Sequence, residues 1–82
     1  MNKEDTYKPV SCADYDVYEI AIMHGESLQL VWKDKSSQDN ISVLKPIDLQ
    51  TREGAEFLIA TNGEGKTLRL RLDYIQSCKR VI

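Results

Sequence analysis

Hydrophobic spacing in this chain changes period once, at Gly25. Before it, apolar residues recur at helical spacing; after it, they alternate with polar ones, as strands require. The first segment is bracketed by its own signals. Pro9 is excluded from a helix interior and biases Lys8 towards extended geometry, so residues 5–10 are expected to form an extended arm. Ser11 is a good N-cap with Asp14 three positions on, and Gly25 supplies a left-handed stop. These signals predict a helix from about Cys12 to His24.

The helix has apolar residues on two sides. Ala13, Val17, Ile20, Ala21 and His24 share one face, which is the expected core face. Tyr15, Tyr18 and Ile22 form a second stripe nearly opposite, and Asp16, Glu19 and Met23 fill a narrow strip between them. A helix lying on one sheet needs a single apolar stripe. The second stripe therefore either packs on the arm or a strand end, or serves as a partner surface in which aromatics stand beside acids.

Beyond Glu26 the alternation predicts about five short strands. Leu28, Leu30 and Trp32 mark the first. A second starts near Ile41, where Pro46 demands an edge, a bulge or a bend. Thr51-Arg52-Glu53-Gly54 is a tight connection to a third strand with Phe57, Ile59 and Thr61. Asn62-Gly63-Glu64-Gly65 is a hairpin loop. Leu68, Leu70 and Leu72 mark a fourth strand, and residues 74–81 form a fifth. One helix before five short antiparallel strands is a mainly β (α+β) pattern. It is expected to close into a small barrel, Sm-like, SH3-like or OB-like, with the helix-first order favouring Sm-like. Eighty-two residues make a single domain, spanning 1–82, in which residues 1–6 are expected to be flexible.

The chemistry of enzymes is mostly missing. A chain of this length hides only about 60% of its unfolded surface, which leaves little for a deep, dry pocket. His24 is the single histidine, expected to be partly buried or to cap the helix end. Asp14 and Asp16 point about 200° apart on a helix, so they do not share a proton. Cys12 and Cys78 read as two reduced thiols, and one histidine with two distant cysteines makes a poor metal set. No cofactor is expected. The net charge of −2 argues against direct nucleic-acid binding, because such binders carry a basic patch. Lys66, Arg69 and Arg71 are the exception: they read as a solvated strand face or as a weak RNA contact. No membrane-length apolar run or signal peptide is visible, so a cytoplasmic protein is expected.

The pattern Tyr7-x-Pro9-Val10-x-Cys12-x-Asp14-Tyr15-Asp16, followed by Glu19, resembles the Rho-binding antiterminator family. Leu70-Arg71-Leu72-Asp73-x-Ile75 is similar to that family's closing strand, and the likeness runs from about Tyr7 to Ser77. The loop over residues 35–40 is longer than the family pattern, and the neighbours of Arg52 are less basic. The resemblance implies an Sm-like barrel. It also implies a non-enzymatic inhibitor that binds the N-terminal, RNA-binding domain of the termination factor Rho and blocks RNA access. On that reading Asp14, Tyr15, Asp16, Tyr18, Glu19 and Arg52 are the partner-binding residues, and the free protein is a monomer. The alternative is an Sm-like module that binds single-stranded RNA directly through Lys66, Arg69 and Arg71.

Overall fold

The computed structural model describes residues 10–34 and 36–81. Apart from Val10, the expected arm over residues 5–10 and the start of the chain lie outside the described residues. Helix α1 spans Cys12–His24, as its caps dictate. The Ser11 hydroxyl accepts from the Asp14 backbone N–H at 3.2 Å. Gly25 ends the helix at φ +66°, a conformation that costs a residue with a Cβ about 1 kcal/mol or more.

The strands are β1 (Leu28–Lys33), β2 (Asp39–Arg52), β3 (Ala55–Thr61), β4 (Thr67–Arg71) and β5 (Ile75–Arg80). All neighbours are antiparallel, in the order β4-β3-β2-β1-β5. Strand β2 is shared between two partners. Asp39–Leu44 pairs with β1, and Lys45–Arg52 pairs with β3. The change-over falls at Pro46, where a bulge skips Ile47 and leaves it 45% exposed. A proline has no N–H to give a ladder, so the bend sits where the loss is cheapest. The β2–β3 connection is the two residues Glu53 and Gly54, both at positive φ (+51° and +79°), a mirror-image turn that matches strand twist.

The expected barrel does not close. Strands β4 and β5 are the two edges of an open five-stranded sheet. A short 3-10 turn, Leu72–Tyr74, separates them and leads the chain onto β1 at the far side of the sheet. In this turn Arg71 Nε meets the Asp73 carboxylate at 2.8 Å, with side chains only 16% and 5% exposed, and the Arg71 guanidinium lies 4.9 Å from the Tyr74 ring centre. The edges are blunted by brevity and by charge, with Arg69 on β4 and Lys79 and Arg80 on β5.

The core joins Leu28, Leu30, Leu44, Leu58, Ala60, Leu70 and Leu72 from the sheet and turn to Tyr18 and Ala21 from the helix. The expected helix face is right only in part: Ala21 is buried and Val17 half-buried, as expected. Ala13, Ile20 and His24, assigned to the core side, are exposed, while Tyr18 is 2% exposed. Tyr15, Val17 and Ile22 are half-buried on the two flanks. The stripe through Tyr18 and Ala21 wins because burying a tyrosine removes far more apolar area than burying Ala13 or His24.

Two consequences are measurable. Asp73→Ala strands the Arg71 charge in a nearly closed site, and urea denaturation is expected to register a loss of about 3 kcal/mol. A loss below about 0.5 kcal/mol, the scale of a surface pair, refutes that role for the ion pair. The β1–β2 turn has a different dependence. Asp34 accepts backbone N–H bonds from Ser36 and Gln38 and one from the Asn40 amide. Its pKa is held below the ordinary 3.8, chiefly by the Gln38 N–H and then by Asn40. A depressed carboxyl stabilises the fold above its unfolded pKa and loses that contribution as pH falls through the folded one. An NMR carboxyl titration should therefore place Asp34 below 3.8, and Asn40→Ala should move it back up.

Candidate functional site

The described part of the first turn of α1 spreads its acids over two sides. Asp14 is exposed on the side next to β5, where the Cys78 thiol lies 4.0 Å from its Oδ1. Burial pushes the Cys78 thiol pKa up, the Asp14 charge adds to this, and a hydrogen bond with Tyr18 opposes it. Asp16 is about 200° around the helix and faces solvent, as does Glu19. The expected set of six is therefore divided. Tyr15, Asp16 and Glu19 share a flank and outer strip. Asp14 stands at the opposite side against β5. Tyr18 lies beneath them in the core, so it props the surface and is not itself offered.

Tyr15 is the hinge between helix and sheet at this end. It is half-buried and packs against the core cluster. With Val10, Cys12, Asp16 and Glu56 of β3 it lines a shallow depression. Its phenol pKa is raised above 10.0, first by burial, then by the negative charges of Glu56 and Glu19. Glu56 was not among the residues singled out from the sequence. Its position on β3 is local information, but its meeting with Tyr15 depends on how the helix sits across the sheet. Register supplies part of the answer: Glu56 pairs with Thr51 and Ala55 with Arg52, so the β2–β3 turn carries Arg52 to the neighbouring rung. Arg52 is exposed there.

The surface is unbalanced in charge. Among the described residues the ion pairs join His24 and Arg80 to Glu26, Lys33 to Asp39, and Arg71 to Asp73. None uses Asp16, Glu19 or Glu56. The helix also exposes Ile20 (44%) and Met23 (77%) beside these acids. His24 is exposed and 3.7 Å from Glu26, so it closes the helix without entering the core. Among the described residues no three His, Cys, Asp or Glu side chains are grouped to hold a metal, and no helix is long and apolar enough to cross a membrane. Cys12 and Cys78 are both free thiols.

The basic set on β4 is only partly spent internally. Arg71 is held by Asp73 and Tyr74, and the Arg69 guanidinium lies 4.8 Å from the Phe57 ring centre. Cation–π and ion-pair contacts of this kind fix the side chains along the strand. Lys66 is left exposed in the β3–β4 hairpin, where the Asn62 carboxamide accepts the backbone N–H groups of Glu64 and Lys66.

Comparison with known proteins places the chain. A family model described as modulator of Rho-dependent transcription termination (ROF) matches residues 9–81. "Protein rof" of Escherichia coli (strain K12) is 40% identical over 73 residues, covering 89% of this chain and 81% of that protein. The Shigella flexneri protein of the same name matches equally, at 40% over 73 residues. Among solved structures, proteasome accessory factor B/C (PafBC) of Arthrobacter aurescens superposes with a TM-score of 0.76 at 15% identity. It covers 93% of this chain but only 12% of that one, a likeness of fold alone. With a family model spanning nearly its whole length and relatives at this identity, the chain belongs to the ROF family of modulators of Rho-dependent transcription termination.

Proposed function

We propose that the chain binds the N-terminal, RNA-binding domain of the termination factor Rho, obstructs its RNA site and so inhibits Rho-dependent termination without catalysing any reaction. One observation carries this reading. The outer strip of α1 presents Asp16 and Glu19 beside a half-buried Tyr15, with Glu56 adjoining, and none of the three carboxylates has a basic partner among the described residues. A domain that holds RNA must be basic, and a competitor for it gains from opposite charge. Charges at the rim set encounter rate and orientation, while the aromatic and apolar residues supply the desolvated centre. Tyr15, Ile20 and Met23 are the exposed or half-exposed candidates for that centre.

The residues then take separate roles. Asp16 and Glu19 pair with lysines or arginines of Rho. Tyr15 packs at the contact, and Tyr18 holds the helix at the angle that presents it. Asp14 contributes from the β5 side, and Arg52 makes a secondary contact from the β2–β3 turn. The open sheet is read as an unclosed version of the Sm-like architecture, the free protein as a monomer, and its place of action as the cytoplasm, where Rho works. The direct RNA-binding alternative loses one of its three basic residues, because Arg71 is held by Asp73 and Tyr74, while Lys66 and Arg69 stay exposed.

The test is capture of the isolated N-terminal domain of Rho. Native protein is expected to retain it at low salt and to release it progressively as ionic strength rises, because exposed pairs are screened. Asp16→Lys should weaken binding by about tenfold or more, the scale of a contact whose charge is reversed. Asp14→Lys, on the side next to β5, should cost less, and Asp48→Lys on β2 should change binding little. No retention by the native protein, or equal binding by native and Asp16→Lys, overturns the reading. A filter-binding titration with single-stranded RNA separates the alternative, for which tight and salt-sensitive RNA binding is required.

A further inference from the structure

The depression beside the helix has a more specific composition than an acidic surface. Its walls are Val10 and Cys12 on one side, the Tyr15 ring, and two carboxylates, Asp16 from α1 and Glu56 from β3. The two acidic residues come from different elements and line the same concave space. Among the described residues no basic residue lines it. We propose that this depression is a socket for a single arginine side chain of the protein partner, in which the guanidinium is held between Asp16 and Glu56 and lies against Tyr15. This deepens the proposed function and rests on it for the identity of the partner, though not for the chemistry of the socket.

The residue types select the occupant. A guanidinium is planar, weakly hydrated and carries five donors in a fixed fork, so it matches carboxylates offered from two directions and also stacks on an aromatic ring. A lysine ammonium is a strongly hydrated point charge and uses the ring less well. Val10 and Cys12 suit the aliphatic stem of the incoming side chain. The helix's positive end opposes a cation with only about half a charge, whereas Asp16 and Glu56 each place a full negative charge at the depression, so attraction wins. The Tyr15 phenol is held in its neutral form beyond the ordinary range, first by burial and then by the charge of Glu56.

The experiment uses N-acetyl-arginine amide as the probe, titrated into isotopically labelled native protein. Saturable NMR shifts are expected at Cys12, Tyr15, Asp16 and Glu56. The lysine amide should bind several-fold more weakly, and the citrulline amide, uncharged but of the same shape, should not bind. Shifts scattered over unrelated carboxylates such as Asp39, Asp48 and Glu64 overturn the socket, and equal binding of the lysine amide overturns the guanidinium assignment. Glu56→Gln should abolish most of the arginine response while Glu64→Gln preserves it.

Folding of the variant is checked by its native amide dispersion, since unfolding would also release Tyr15 from burial; in the folded variant the same ring reports on Glu56. Glu56→Gln is expected to bring Tyr15 ionisation back towards 10.0 in an ultraviolet titration, and no movement would separate Glu56 from the ring. Against the N-terminal domain of Rho, Glu56→Gln should weaken binding by about tenfold, the scale for loss of a charge-assisted pair. If Glu56→Gln binds that domain as the native protein does, the socket fails and the proposed function stands. If the native protein does not bind the domain, the proposed function fails, and the arginine titration alone decides the socket.

Discussion

Everything distinctive about this molecule depends on how Tyr18 and Ala21 seat one helix on a leucine core. That seat is small. Seven sheet and turn residues and two helix residues make the fully buried cluster. Burying Tyr18 contributes about 1.5–3 kcal/mol, a sizeable share of the stability available to a domain of this length. It also fixes the rotation of α1 about its own axis. With Tyr18 down, Tyr15 falls on a flank within reach of β3, Asp16 and Glu19 turn outward, and Asp14 turns towards Cys78. A rotation of one residue would put a different set of acids on the surface. The core thus decides the electrostatics of the exposed face.

Much of the fold could be read from residue order, because its signals are local. Ser11, Asp14 and Gly25 bracket the helix within one residue of each end, and the alternation from Leu28 onwards locates all five strands. Pro46 announced an interruption, and the structure resolves it as a bulge. What failed was of longer range. The helix carries apolar residues on both sides, so spacing alone does not say which stripe is buried. Of the face expected to be buried, Ala21 enters the core and Val17 is half-buried, but Ala13, Ile20 and His24 are exposed, because the larger gain lies with Tyr18 from the other stripe. Barrel closure failed for a related reason. Strand count and shortness are local properties, but closure requires β4 and β5 to meet. The turn over Leu72–Tyr74, braced by Arg71 and Asp73, keeps them on opposite edges.

The candidate site was legible to the same degree. Asp16, Tyr15 and Glu19 are close in sequence and come together on the helix, as spacing implies. Asp14 belongs to the same motif but to another side, because neighbours two apart on a helix diverge. Tyr18 has the composition of an anchor and the position of a core residue. Glu56 lies 41 positions beyond Tyr15, and only the docking of α1 brings its charge to the ring. An acidic residue at the start of a strand carries no sequence signal of such a role.

The placement of charge also explains why an acidic surface is tolerable on so small a domain. Like charges held close together destabilise the fold that holds them, and the effect is strongest where solvent is excluded. Here the carboxylates of Asp16 and Glu19 face water, and Glu56 is only half-buried, so high dielectric softens their repulsion. The deeply placed charges are treated differently. Asp73 is nearly closed off and has Arg71 at 2.8 Å. The fold neutralises what it buries and leaves unneutralised what it exposes at one end of the helix. A surface that served only solubility would have no need to gather its unpaired acids around a tyrosine. Gathered there, they leave an attraction that a cationic partner is able to satisfy on binding.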